Sequence, residues 1–503
     1  MPKRPTAPRR RPSRPPPKKP PGKGGPANAG AIILTWEDDP ASKTPPTPVQ
    51  RPAPDLRATA LPFALDGAAP VPQIYQTGTP EFRYWAMAEA LRRAADFWGA
   101  IVPKGTKWQV GATLPVRRDA GRELNAFYTR GGGRDAAGLN FFHDTVDGVT
   151  YFSGESPEVA CHEFGHAVLD AVRPELFHAA FVEVAAFHES FGDMSAIMTV
   201  LQLQSVRTDL ITSIGTNIYR NSRLSRLAEQ LGNAIRAGHP DLVESDSLRN
   251  AVNSFFYRDP QLLPPNAPAS VLSSEPHSFS RVFTSAFFEI LAGIFLAQGG
   301  AGTEQQLLAA TVIAGDILMR ASVGASIVPA YFTQVAAHFV SVDAAQYNKK
   351  YRDIIKSAFV KRGILSMESA SSGVTVTVDR KQVRAFAQTA ATARETPIAT
   401  MAMGAHQFGI QMPLYVEAPG GAPHFSVAPA SPKTGSLEPV SREVATASFV
   451  EDLFRRGRVD VAEHADAEMR IMHPFRRKSH ELIEYQAGVK LVRRFFDCGI
   501  DVT

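Results

Sequence analysis

Residues 156–170 read SPEVACHEFGHAVLD. Ser156 is a helix cap, Pro157 suits a first turn, and Glu158 is favoured there by the helix dipole. These signals predict a helix running to about Val172 and stopping before Pro174. On a helix, positions i and i+4 share a face, so His162 and His166 can point at one ion with Glu163 beside them. Zinc accepts neutral imidazole nitrogens, and its catalytic form keeps a position open where water loses a proton near neutral pH. A carboxylate next to the first His can take that proton and later hand it to a leaving amine. The bare pattern also arises as two histidines on a partly buried helix. A third ligand is therefore required.

Glu189 lies 23 residues after His166, on a second helical stretch, Ala179 to Leu203, that is apolar on nearly every side. Such a helix should be buried. If it packs antiparallel to the first across a turn at 173–178, Glu189 faces the His pair. Asp193, one turn on, is then placed to accept the second N–H of a ligand imidazole. The bland alternative is an acidic pair on a solvated face. Against it, Phe181, Val184, Phe187, Phe191, Met194 and Ile197 surround the pair, and buried carboxylates need partners. His188 competes with Glu189 as third ligand.

Outward from this centre the chain changes character. Its 503 residues allow two or three domains, and its two cysteines exclude a disulfide framework or an all-Cys metal cluster. The net charge of +5 misleads, because residues 1–24 hold nine cations and no acid; without them the remainder carries −4. The basic, Pro-rich stretch 1–56 reads as a disordered tail, so nucleic-acid binding would rest on that tail alone. It has no apolar core of an export signal, and no stretch reaches the 18 or so apolar residues of a membrane span. The default expectation is a cytoplasmic protein. Helical spacing is evident from Thr79 to Trp98, and further helices are expected near 279–299, 303–321, 327–341 and 344–361. Val110 to Val116 and Leu124 to Tyr128 read as short strands joined by a polar turn at Asp119–Gly121. Beyond Met367, Gly373 to Asp379 alternates like a strand, 417–440 reads as a connector, and Leu482–Gln486 with Val489–Phe496 reads as a hairpin.

In order along the chain, several segments resemble the thermolysin-like zinc metallopeptidases, the gluzincins. Asn125-Ala126-Phe127-Tyr128 is similar to the family's edge strand, HEFGHAVLD to its zinc helix, and Glu189-Ser190-Phe191-Gly192-Asp193 to its Glu-x-x-Ser-Asp segment. Leu248-Arg249 matches a Leu-Arg pair, and His277 follows Arg249 at the family's interval of 28 residues. Ile354 to Leu365 looks like the closing helix. The resemblance covers about 79–366. It implies an α+β fold: a mainly helical thermolysin-like zincin core at 57–366 with a small β edge, followed by a small α+β extension at 367–503. It implies Zn2+ held by His162, His166 and Glu189, with Glu163 as general base and then acid. Arg249 and His277 would stabilise the oxyanion, and Asn125 and Ala126 would align the peptide. Asp170 and Asp193 would sit behind the ligand imidazoles. Val159 and Leu248 would line a pocket for an apolar residue after the scissile bond. The expected activity is endopeptidase cleavage of a peptide or protein. An aminopeptidase is the runner-up among enzymes, and a catalytically inactive zinc-binding scaffold is the rival from another class.

The departures are specific. No Tyr lies between His166 and Glu189, where the family carries an oxyanion donor; Phe177 cannot donate, and His178 is the only substitute nearby. The family's Asp five residues before the oxyanion His is Leu272 here, leaving Glu275 to orient His277. Ser195 to Gln204 contains no acid, whereas the family has a paired-calcium site there. Selective calcium chelation that spares zinc should therefore leave the melting temperature almost unchanged. A large drop in a thermal melt would reveal a calcium site.

Overall fold

Thr79 accepts a hydrogen bond from the Phe82 N–H, and Pro80 fills the first turn, so the helix Pro80–Gly99 begins as its sequence dictates. Ser156 caps the histidine helix, Pro157–Val172, in the same way. The glutamate helix, Val182–Val200, has no side-chain cap, and every residue in it is buried. Packing rather than capping holds it, with the histidine helix on one side and Pro276–Leu296 on the other. The helices Glu304–Gly324, Tyr331–Gln346 and Arg352–Lys361 complete the bundle close to their expected positions. Two more, Gln204–Ile214 and Glu229–Gly238, were not anticipated; both are short and start without a side-chain cap. The computed structural model describes residues 32–42, 44–50, 59–132, 135–367, 399–420, 440–461 and 477–498, and the fold is α+β.

A five-stranded sheet covers the bundle near the histidine helix, in the order Phe495–Asp497, Ala126–Thr129, Gly138–Phe141, Leu114–Arg117, Phe63–Leu65. The two strands expected to be neighbours, at 110–116 and 124–128, are not. Gly138–Phe141 lies between them, antiparallel to Ala126–Thr129 and parallel to Leu114–Arg117. It is four fully buried residues, too short for its periodicity to announce it.

A second five-stranded sheet, in the order Thr400–Met403, Leu414–Glu417, Gly488–Arg493, His480–Tyr485, Val459–Asp460, forms the C-terminal unit with the helix Arg442–Arg455. The expected hairpin is present, closed by Gln486 and Ala487, with Gln486 at φ 51°. Its second arm was expected to reach Phe496 but ends at Arg493. From Phe495 the chain joins the first sheet instead, antiparallel to Ala126–Thr129.

The tail expected to be disordered over 1–56 is ordered in part. Ile32–Thr35 pairs with Thr47–Gln50, and Ile33 is buried. Arg223 bridges Asp38 and Glu37 at 2.6 and 3.0 Å, while Asp39 accepts from Ser156 Oγ at 2.7 Å and from the Gln230 N–H at 2.8 Å. The acids at 37–39 thus find partners that lie far along the chain. The basic run 1–24, the strand expected at 373–379 and residues 421–439 of the connector lie outside the described residues. Two helices, Pro276–Leu296 and Glu304–Gly324, do reach the length and hydropathy of a membrane span, contrary to expectation. The first is mostly buried within the bundle, and the Asp316–Arg320 pair at 2.8 Å sits on the second.

Burial raises the Glu183 carboxyl from its ordinary 4.5 to about 8, against hydrogen bonds from Tyr257 Oη and the Phe332 N–H. The folded state therefore holds a proton that the unfolded chain releases. That contribution is complete below about pH 4.5 and is lost as pH rises toward 8. Denaturant melts of Glu183→Gln across this window should show a flatter pH dependence than the wild type; identical slopes would refute the assignment.

Candidate metal centre

The histidine and glutamate helices cross closely because glycine stands at the contact on both. A Cβ on Gly192 would lie 2.6 Å from the His162 ring, and one on Gly165 would lie 2.8 Å from Ser195 Cβ and 3.1 Å from Gly192 Cα. At this crossing His162, His166 and Glu189 bring their ligand atoms within 4.8 Å of one another. His162 Nε2 is 3.4 Å and His166 Nε2 3.7 Å from Glu189 Oε2. A tetrahedral zinc site with bonds of about 2.05 Å has ligand–ligand edges of roughly 3.3 Å, so the spacing suits one such ion. All three atoms are buried and accept or donate no hydrogen bond. Buried polar atoms without partners are costly, and convergent ones are the donor set a cation satisfies.

Asp193 Oδ1 lies 3.0 Å from His162 Nδ1, the arrangement expected for the carboxylate behind the first ligand. Burial opposes charge on His162, but the Asp193 and Glu189 carboxylates beside it raise its pKa to about 9, whereas burial holds His166 far below its ordinary range. His166 Nδ1 is met at 3.2 Å by His188 Nδ1. His188 thus meets the far nitrogen of the His166 ring and is not among the residues whose atoms converge with His162 and Glu189. Asp170, expected in that supporting role, instead accepts from Tyr128 Oη at 2.6 Å and is forked by Arg130. Sequence gave His188 only as a rival ligand, since its side of the helix depends on a crossing angle that spacing does not reveal.

Glu163 is fully buried and neither carboxylate oxygen has a hydrogen bond. Burial foremost, with Glu189 adding to it, raises its pKa well above the ordinary range. His277 Nε2 lies 3.2 Å from Glu189 Oε2, and its Nδ1 is 2.7 Å from Glu275 Oε1. Glu275 is also the cap of Pro276–Leu296, accepting from the Ser278 N–H. One carboxylate thus starts the helix and sets the ring. Arg249 gives Nε and Nη2 to Asp193, at 3.3 and 2.8 Å, leaving a buried Nη1 with no hydrogen-bond partner.

The two pocket residues part company. Leu248 lines a cavity of ≈ 540 Å³ with Arg249, Arg281 and His277, whereas Val159 lines a separate one of ≈ 10 Å³ beside Leu231. His178 accepts from the Arg493 N–H at 3.1 Å and Phe177 packs edge-on to Phe496, so neither replaces the missing Tyr. Sequence reading missed the C-terminal strand here. Asp497 O lies 2.5 Å from His277 Nε2, Phe496 stacks on His188, and Cys498 groups with His162 and Glu163. The strand Ala126–Thr129, expected at the sheet edge, is second from it because Phe495–Asp497 pairs on its outer side; Asn125, just before it, donates to Glu123 and accepts from the Ala126 N–H, and Ala126 O accepts from the Cys498 N–H at 2.8 Å.

Neither the models of known protein families nor the curated proteins include a match to this chain.

Metal analysis after dialysis tests the ligand set. Glu189→Gln should lose most of the bound metal, while His188→Gln, which only removes a support for His166, should weaken affinity about 10–100-fold. If His188→Gln strips the metal and Glu189→Gln retains it, Glu189 is not the third ligand.

Proposed function

We propose that the protein is a zinc-dependent peptidase of the thermolysin-like kind, with His162, His166 and Glu189 holding Zn2+. The observation that carries this reading is the coincidence of three features: a corner of buried, unpartnered ligand atoms, an unpartnered carboxylate on Glu163 beside it, and the strand Ala126–Thr129, along which Phe495–Asp497 lies as an extended peptide. Two imidazoles and one carboxylate suit zinc better than a hard, oxygen-preferring cation. When bound, the metal would acidify water and polarise a carbonyl.

The protein's own groups supply the rest. Glu163 accepts a proton from the attacking water and delivers it to the leaving amine; its burial keeps the proton from escaping to solvent. His277 Nε2 donates to the carbonyl oxygen as it gains charge, with Glu275 fixing the ring. Arg249, which lines the same cavity as His277 and whose Nη1 has no hydrogen-bond partner, is the second donor. Ala126 O and the Asn125 side chain align the peptide main chain on the strand Ala126–Thr129. Leu248 alone remains of the expected apolar pocket, so this reading extends to the peptide bond and not to the neighbouring side chain.

One observation favours a second reading, the catalytically inactive metal-binding scaffold. Cys498 lies within 4.8 Å of His162 and Glu163, beside the three-residue corner, and structural zinc sites are closed by a fourth ligand.

Glu163→Gln should keep the metal and the fold yet lose about 10²–10⁴-fold in peptide cleavage, measured on a mixed peptide library. His277→Ala should retain more activity, since Arg249 still donates. Wild-type rates from metal-loaded Glu163→Gln would end this mechanism.

A further inference from the structure

We propose that Phe495 to Cys498 is a built-in blocking strand, lying in the candidate cleft as a peptide substrate would, with the Cys498 thiolate as fourth ligand to the metal. The proposal rests on the peptidase reading for the meaning of the cleft, but the ligation itself can be tested without it.

Three independent contacts place the segment. The first is its main chain. Phe495, Phe496 and Asp497 pair antiparallel with Thr129, Tyr128 and Phe127, and the ladder continues through the Cys498 N–H to Ala126 O at 2.8 Å. This is strand addition to a sheet edge, the mode by which a cleft binds peptides without regard to side chains. The second is a carbonyl. Asp497 O sits 2.5 Å from His277 Nε2, the donor assigned to a reacting carbonyl, so the Asp497–Cys498 peptide bond lies at the reacting position. The third is the thiol. Cys498 Sγ, a His162 nitrogen and a Glu163 oxygen lie within 4.8 Å of one another, and the thiol is buried. It therefore stands beside both a candidate metal ligand and the proposed base. On ligation the S–H bond breaks, and Glu163, whose oxygens have no partner, is placed to take the proton. Cys498 does not group with His166 and Glu189, so ligation at the thiolate–zinc distance of about 2.3 Å requires its side chain to turn toward them.

The segment is anchored rather than loosely laid down. Phe496 stacks on His188 with ring centroids 3.8 Å apart and on His166 at 5.1 Å. Phe495 stacks on Phe127 at 4.7 Å, and Arg458 holds the Asp497 carboxylate with bonds of 2.8 and 2.9 Å. With the thiolate in the water's place, the bound peptide bond is held but not attacked. Release of the segment, by cutting or by modification of the thiol, would open both the edge strand and the fourth position.

The full chain loaded with Co2+ in place of zinc tests this, because a thiolate ligand gives cobalt an intense near-ultraviolet charge-transfer band. Wild type should show the band at one cobalt per chain, and Cys498→Ser should bind cobalt without it. Cys498→Pro removes both the thiol and the N–H that bonds Ala126, and the zinc form should cleave peptides at least about tenfold faster than wild type if the closed form holds nine-tenths of the molecules. Cys498→Ser should gain less, and it decides the matter together with the band if the proline variant does not fold. A cobalt-loaded wild type without the band overturns the ligation, and if that protein cleaves peptides the peptidase reading survives alone. A band with no gain in cleavage by either folded variant overturns the blocking role; if no preparation cleaves at all, the peptidase reading falls and Cys498 is a structural ligand.

Discussion

The close crossing of the histidine and glutamate helices is the constraint on which the site depends. Gly165 and Gly192 meet there, and a single Cβ on Gly192 would press against the His162 ring at 2.6 Å. Overpacking of this kind costs about 1–3 kcal/mol where neighbours can shift. Here the neighbour is a candidate ligand, so the shift would also part His162 from Glu189. The crossing is locked by a short polar chain through the core: the Trp98 indole N–H donates to Ser195 Oγ, which donates to the Cys161 carbonyl, at 2.9 and 2.8 Å. Ser195 lies one turn beyond Gly192 on the same helix, so the first helix of the bundle helps fix the distance between the other two.

That closeness concentrates charge. Glu163, Glu189 and Asp193 are buried within a few residues of two imidazoles, and a buried carboxylate survives only with a partner. Asp193 has two: the Arg249 guanidinium, then the His162 ring, hold its pKa well below the usual range against burial. Glu275 is likewise held down by His277 against its own burial. Glu163 and the Oε2 of Glu189 have no hydrogen bond. The supporting carboxylates are therefore satisfied by the protein, and the groups nearest the focus are left for something else. This division fits the cation site proposed above.

Much of this was legible because it is local. The i, i+4 spacing of His162 and His166, the cap at Ser156 and the apolar surroundings of Glu189 need only a helix to be read. Asp193 behind His162 followed from one further turn. What was not legible depends on pairing at long range. Nothing in Gly138–Phe141 says that it will separate two strands nearer to each other in sequence. The acids at 37–39 look like part of a polar tail until Arg223 and Ser156 are brought to them. Val489–Phe496 carries no Gly, Pro or Asn to mark a break at Arg494, so a strand that changes sheets looks like one long arm. The side-chain period of two repeats identically in either sheet and cannot say which one a strand joins. Asp170 shows the limit of resemblance, since Tyr128 and Arg130 claim its carboxylate before any histidine does.

Under the peptidase reading, a strand tethered beside the edge it matches would compete with free peptides at a high effective concentration, often in the millimolar range for short connections. The main-chain ladder cannot distinguish the segment from a substrate, because every extended peptide offers the same N–H and C=O groups. Discrimination must come from the side chains, and the three residues at the focus differ in kind. Phe496 uses apolar contact on the outer faces of His188 and His166, Asp497 uses a charge pair with Arg458, and Cys498 offers sulfur toward the ligand corner. The first two hold the segment whether or not a metal is bound. Only the third depends on it. A metal arriving at the three-ligand corner would therefore tighten the segment that covers it, so that loading and closure are linked, and opening requires a change at the thiol or in the strand rather than a rise in substrate concentration alone.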